Sequence, residues 1–320
     1  MAITAAQVKE LRDRTGAGLL DCQNALKETN GIVGEAEKLL RKKGLADAAK
    51  KAGRVAADGL IGFKVEGGVA ALVELNCETD FVAKTDDFQK ARHALADAVF
   101  AHAAFGDAPA LDVEAVKALP APAGLPGAAA LSGGIPPSGP QTPIATIADW
   151  LKAFTARTGE NTRLRRASRI QAPASAALTL YAHTGDKNVV VLETVGCDET
   201  LAKDLAMQVT ALAPLYATRD SVPPKVVEEE KEIARAKAAA AGKPPNVVEK
   251  MVDGMVNKWF AEVVLLDQPF VKDDSKRVSQ VLAERGAKDA RVLRFVRLRV
   301  GEGVEKKATD LAAEVAALTK

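Results

Sequence analysis

Val69-Ala70-Ala71-Leu72-Val73-Glu74-Leu75-Asn76-Cys77-Glu78-Thr79-Asp80-Phe81-Val82-Ala83-Lys84-Thr85-Asp86-Asp87 is the stretch that decides the fold. Its first eight residues read as a β-strand, and Thr85-Asp86-Asp87 reads as a helix start. Cys77 to Lys84 is therefore a strand-to-helix corner. A corner can turn two adjacent side chains outward, whereas a strand sends them to opposite faces. Asp80 and Phe81 at such a corner fit a wedge, an apolar ring for a partner's pocket with a charge beside it. The same two residues fit a core Phe next to a helix-capping Asp. The local sequence leaves both readings open.

Upstream, Ile61, Phe63 and Val65 alternate toward a turn at Glu66-Gly67-Gly68, so the strand from Val69 returns as a hairpin partner. Downstream, a helix is expected from Asp86 with Phe88, Leu95 and Val99 on its buried side. The same order comes again later. Leu178 to Tyr181 and Val189 to Glu193 form a second hairpin about Thr184-Gly185-Asp186, and Asp198 caps a helix carrying Leu201, Leu205, Val209 and Leu212. Hairpin then helix, twice, suggests a duplicated α+β unit.

Around these units lie other segments. Residues 4–52 read as three short helices. Thr4 and Gln7 make a capping box, and Ile3 and Val8 a hydrophobic staple. Val8 and Leu11 give the first apolar stripe. Leu20, Ala25 and Leu26 give the second, ending near Asn30-Gly31. Ala36, Leu39 and Leu40 give the third, which is expected to stop at Gly44. Residues 106–145 are rich in Ala, Pro and Gly and read as a surface insertion without a packed core. Helix resumes near Ile147 to Ala156, and a strand with alternating basic residues starts at Asn161. Pro223 to Lys258 is helical on both sides of Gly242-Lys243-Pro244-Pro245, the pattern of a projecting helical hairpin. A strand at Val263–Leu266, a helix at Ser275–Arg285 and a strand at Arg291–Val300 follow. The last helix, about Lys306 to Leu318, repeats Leu311, Val315 and Leu318 as a detachable arm.

Composition narrows the function. The chain has 44 basic and 42 acidic residues, a net charge of +2, against the basic excess of a phosphate-binding surface. Two Trp, two Tyr and nine Phe are poor provision for base stacking. Direct nucleic-acid binding is not expected. Cys22, Cys77 and Cys197 are far apart and odd in number, which points to a reducing cytosol. No apolar run is long enough to span a membrane, and no signal or transit segment precedes the first helix. His93, His102 and His183 lack metal-ligand spacing. Gly16-Ala17-Gly18 follows a helix and lacks a third glycine, and Gly242-Lys243 is followed by Pro, so neither is a phosphate loop. No enzymatic site, metal or cofactor is expected. Arg163, Arg165 and Arg166, with Arg291, Arg294, Arg297 and Arg299, read as polar faces of strands.

Leu11-Arg12-Asp13-Arg14-Thr15-Gly16-Ala17-Gly18-Leu19-Leu20-Asp21-Cys22 and Asn76 to Lys84 together resemble the bacterial translation elongation factor Ts family. Further matches run in order: Lys50 to Gly59, Gly159-Glu160-Asn161, Asp267-Gln268-Pro269-Phe270-Val271, and Val300 to Lys306. They cover nearly the whole chain except 106–145. The resemblance implies an α+β protein: an N-terminal three-helix, ubiquitin-associated-like module (1–54), a core of two α+β subdomains with antiparallel sheets, a projecting helical hairpin and a C-terminal arm. In this chain the core subdomains would be 55–177, with the insertion 106–145, and 178–222 with 259–300. The hairpin would be 223–258 and the arm 301–320.

The implied activity is guanine-nucleotide exchange on elongation factor Tu in the cytoplasm, without catalysis of its own. The implied partner is that factor in its GDP-bound and nucleotide-free forms. Asp80 and Phe81, flanked by Thr79 and Val82, match the pair that intrudes near the partner's magnesium site. Leu19 and Leu20 match an apolar contact pair, and His183 a histidine pressing toward the phosphate-loop side. Gly159 lies in a turn that is usually Ile-Gly in the family; Thr158 departs from that. A homodimer and a 2:2 complex, with the helical hairpin as the associating element, are both left open.

Overall fold

The computed structural model describes residues 3–15, 17–126, 144–239 and 245–305. The elements in chain order are α1 (Ala5–Thr15), α2 (Leu19–Glu28), α3 (Val33–Lys51), β1 (Asp58–Glu66), β2 (Val69–Cys77), α4 (Asp80–Ala83), α5 (Asp86–Ala101), α6 (Val113–Lys117), α7 (Ile147–Thr158), β3 (Arg163–Gln171), β4 (Ala177–His183), β5 (Asn188–Val195), α8 (Glu199–Leu212), α9 (Pro224–Ala239), α10 (Pro245–Val263), β6 (Pro269–Phe270), β7 (Asp273–Arg277), α11 (Val278–Arg285) and β8 (Arg291–Arg299). The fold is mixed α+β. Two three-stranded sheets carry it, in the orders β1-β2-β3 and β4-β5-β8, and β6-β7 form a two-stranded ribbon. The chain divides into two compact units: residues 1–64, 71–169 and 299–320 in one, 65–70 and 170–298 in the other.

In the first unit, Thr4 and Gln7 form the expected capping box, and Val8, Leu11, Cys22, Ala25, Leu26 and Ala36 close a small core over α1–α3. Leu20 is not in that stripe: it is 68% exposed, and Cys22 takes the buried place. α3 does not stop at Gly44 but runs on to Lys51 and packs on α7. A Cβ at Gly44 would lie 3.0 Å from the Ala156 Cβ, so this glycine permits a close helix approach instead of ending a helix. The core of α1–α3 is small, and the packing of α3 on α7 adds to it.

The larger core of this unit lies between β2, α5 and α7. Phe88, Leu95 and Val99 are buried as expected, with the Trp150 and Phe154 rings tilted against each other at a centroid distance of 4.8 Å. β2 is buried on both faces, including Glu74, which is 0% exposed. Glu74 accepts from Arg165 Nη1 at 3.1 Å, Arg166 Nε at 2.5 Å and the Gly301 N–H at 2.8 Å. Arg165 and Arg166 are therefore counter-ions of a buried carboxylate, while Arg163 stays on the exposed face. Residues 106–126 also depart from the expectation of an unpacked insertion. Val116 and Leu125 are buried, and Leu111, Val113 and Leu119 pack against the same core. Alanine and proline set the composition there, while a few spaced aliphatics do the packing. The remainder, 127–143, lies outside the described residues.

In the second unit, β4 and β5 pair antiparallel from Ala177↔Thr194 to His183↔Asn188. Asp198 caps α8 through a 2.7 Å bond from the Leu201 N–H, and Leu201, Leu205 and Val209 face the sheet's Val190 and Leu192. Leu212 is exposed, one turn too late to reach that core. α9 and α10 pack on each other through Ala234, Ala238, Val252, Val256 and Phe260. The turn expected at 242–245 falls mainly outside the described residues. Val263–Leu266 is not a strand: α10 ends at Val263 and a 3-10 turn covers Leu265–Asp267. The helix expected from Ser275 begins at Val278, because Ser275 lies in β7. β8 spans the expected segment, but its Arg294 is not simply solvated; it pairs with the buried Glu193 at 2.6 Å. The arm at 306–320 lies outside the described residues.

Candidate functional site

The strand-to-helix corner is built in three steps. β2 ends at Cys77, whose Sγ donates to the Thr79 carbonyl at 3.1 Å. Thr79 is the N-cap of the one-turn helix α4, yet its hydroxyl does not cap that helix. It donates instead to Glu160 Oε1 at 2.6 Å, while the Thr79 N–H donates to Glu160 Oε2 at 3.0 Å. Thr85 then caps α5, with its hydroxyl accepting from the Phe88 N–H.

This one turn sorts its side chains. Ala83 is buried and Val82 packs against the core, so the helix is anchored by its second half. Phe81 then has only the outward direction left and is 78% exposed. That removes the core-Phe reading. Leaving this ring in water forgoes roughly 2 kcal/mol of burial. Asp80 does not cap α4, as the alternative reading required. Its carboxylate takes a 2.6 Å ion pair from Lys84, one turn on. The Asp80 hydrogen bond, with its charge, holds the Lys84 ammonium above the ordinary lysine range.

A second layer lies behind the corner. Glu78 Oε1 accepts from the Asn161 N–H at 2.7 Å, and the Asn161 amide donates to the carbonyls of Arg54 at 2.7 Å and Ala52 at 3.3 Å. Gly159, the C-cap of α7, has φ +77°, which lets the chain reverse and bring Glu160 and Asn161 onto the corner. Thr158 donates its hydroxyl to the Phe154 carbonyl and is not an exposed apolar contact.

Of the expected contact residues, Thr79, Asp80, Phe81, Val82 and Gly159 thus belong to one local constellation. Leu19 and Leu20 lie elsewhere, at the start of α2, 55% and 68% exposed. Leu19 lines a groove with Ile3, Val8, Lys9, Arg12 and Gln23. His183 belongs to the second unit. It closes the β4–β5 hairpin at a turn where Thr184, Gly185 and Asp186 all have positive φ. Its Nδ1 lies 3.0 Å from the Tyr181 hydroxyl, and the imidazole is exposed. Sequence reasoning passed over Glu160, Asn161, Glu78 and Lys84. The signal for the first two was present in Gly159-Glu160-Asn161, but nothing local ties that tripeptide to a corner about eighty residues earlier. Among the described residues, no three His, Cys, Asp or Glu side chains are grouped to hold a metal, and no helix is long and apolar enough to cross a membrane.

A family model described as elongation factor TS matches residues 139–302. Full-length relatives extend the likeness to the corner and the N-terminal helices. Elongation factor Ts of Thioalkalivibrio sulfidiphilus is 42% identical over 322 residues, covering 100% of this chain and 99% of the relative. That of Methylococcus capsulatus is 44% identical over 319 residues, covering 99% and 98%. That of Idiomarina loihiensis is 43% identical over 317 residues, covering 99% and 97%. Matches of this extent on an α+β fold place the chain among the translation elongation factors, in protein biosynthesis. Within that class, the chain belongs to the elongation factor Ts family.

Proposed function

We propose that this chain is the guanine-nucleotide exchange factor for elongation factor Tu, acting through its Asp80–Phe81 corner in the cytoplasm. The observation that carries the reading is Phe81, an aromatic ring 78% exposed on a one-turn helix whose root is hydrogen-bonded in place. A rigidly presented aromatic is what an interface anchor requires. Phe81 enters a pocket of the partner, and Asp80 brings a negative charge toward the partner's magnesium and phosphate site. Leu19 and Leu20 add an apolar contact from α2, and His183 a contact from the β4–β5 turn.

The mechanism is indirect. The factor binds a partner state whose magnesium and phosphate contacts are distorted, and GDP fits that state poorly. By reciprocity, whatever weakens GDP in the ternary complex weakens the factor by the same factor. GDP leaves, GTP enters, and GTP binding expels the exchange factor. No bond is made or broken, so the factor is not an enzyme in the chemical sense and holds no cofactor. The test is direct: elongation factor Tu loaded with fluorescent GDP is mixed with micromolar chain in excess unlabelled nucleotide. The expected result is a faster fluorescence decay that saturates with factor concentration. An unchanged decay ends the proposal.

A further inference from the structure

The hydroxyl of an N-cap threonine normally turns back onto its own helix. Thr79 does not do this. Both of its donors, the N–H and the hydroxyl, go to the two oxygens of one carboxylate, Glu160, at 3.0 and 2.6 Å. α4 therefore begins without a side-chain cap, and one turn of helix has no stability of its own in water. Its geometry is imposed from outside. The inward side is held by Val82 and Ala83, and the N-terminal end by Glu160. Two bonds to one carboxylate fix direction as well as distance, and bonds to an ionised acceptor are stronger than neutral ones. Glu160 is in turn placed by the reversal at Gly159 and by Asn161, whose N–H is held by Glu78.

We infer that Glu160 is a positioning residue: it orients Thr79, sets the axis of α4, and so fixes the direction in which Phe81 leaves the surface. The inference rests on the exchange-factor reading for its consequence, but its geometry can be tested without a partner. Glutamine at this position can still accept the Thr79 N–H through its carbonyl and donate its amide to the hydroxyl oxygen, so shape is kept without charge. Alanine keeps neither.

The experiment uses the full chain labelled with 4-fluorophenylalanine, with the Phe81 resonance assigned by Phe81→Leu. Glu160→Ala should shift the Phe81 fluorine signal, release the protected Thr79 amide to exchange, and lower the nucleotide-exchange rate about tenfold, as Thr79 loses both of its bonds to the carboxylate. Glu160→Gln should stay within about threefold of the parent chain. In a Phe81→Ala background, Glu160→Ala should add no further loss of exchange. Should Glu160→Ala fail to fold, Thr79→Val, which removes one of the two bonds, should give the same fluorine shift and a smaller rate loss. Unchanged fluorine signal and Thr79 amide exchange in the altered chains would overturn the inference, as would an equal Glu160→Ala loss with and without Phe81. A parent chain inactive on elongation factor Tu would instead end the exchange reading and leave the fluorine result to judge Glu160 alone.

Discussion

The two hairpin–helix units can be compared element by element. Each has a hairpin, β1-β2 or β4-β5, a helix that follows it, α5 or α8, and a later strand, β3 or β8, beside the hairpin's second strand. Each central strand carries a buried glutamate matched by arginine from that later strand: Glu74 with Arg165 and Arg166, Glu193 with Arg294. The units part company at the corner. From β5, residues 196–198 lead straight into a helix capped by Asp198. From β2, residues 78–85 intervene, and their extra turn is α4 with Phe81 at its tip. One scaffold thus supports a closed corner in one copy and a presented aromatic in the other. What the second copy presents is the far end of its hairpin, at His183.

The shared glutamate lock is the first place to press. Glu74→Ala takes the buried carboxylate from Arg165 and Arg166, leaving Arg166 with Glu302 at 3.3 Å, and frees the Gly301 N–H, so it should cost about 3 kcal/mol of stability. Glu193→Ala takes the carboxylate from Arg294, which keeps other contacts such as the Gln171 carbonyl, and should cost about half as much. Urea midpoints measure both, and equal losses would break the distinction between a two-arginine and a one-arginine lock.

Next comes the corner. Phe81→Ala should weaken the complex with elongation factor Tu by about 2 kcal/mol, the cost of truncating an aromatic anchor, while leaving the urea midpoint unchanged. A fall in stability instead would restore the core reading of Phe81 and erase the difference between the two corners.

Asp204 on α8 sharpens the second copy. It is held by Lys272 at 2.6 Å and Arg285 at 2.8 Å. Burial pushes its carboxyl pKa up, but the hydrogen bonds from Lys272 and Arg285 outweigh that and hold it below the ordinary value of 3.8. A lowered carboxylate pKa stabilises above the unfolded-state pKa, and this contribution is lost as pH falls through the folded value. Asp204→Asn should therefore cost about 1 kcal/mol at neutral pH and almost nothing once the pH is below the lowered folded value. Urea titrations at pH 7 and at the acid limit would show the convergence; a constant difference at both would refute the assignment.

The smallest effect is expected at Lys84. Its pair with Asp80 is a surface i, i+4 contact, so Lys84→Ala should change exchange by less than about twofold. A larger change would mean that the charge beside Phe81, and not the ring, is what separates the two corners.

Much of the fold was legible in the residues. Period-two runs broken at Gly67-Gly68 and at Thr184-Gly185-Asp186 marked both hairpins, and Thr4 and Asp198 marked their helix starts, because turns and caps are chemistry between neighbours. Two misreadings share one cause, a partner distant in sequence. Gly44 carries the residue type that ends helices, and only α7, more than a hundred residues on, makes it a packing site. Glu74 and Arg165 are ordinary polar residues of alternating strands until β2 and β3 meet. The spaced aliphatics of 106–126 were hidden by the alanines and prolines around them. Of the candidate site, the corner was locatable, but Glu160 was not, since its partner Thr79 is 81 residues away.

By itself, the sequence determined both hairpins with their turns, the caps at Thr4 and Asp198, that a strand gives way to a helix at Cys77–Lys84, and which family the motifs resemble. Tertiary structure alone decided which way Phe81 points. An exposed ring and a buried one have the same neighbours in sequence. The choice belongs to Val82 and Ala83, which the core takes in, and to a carboxylate at Glu160 that holds the turn from outside.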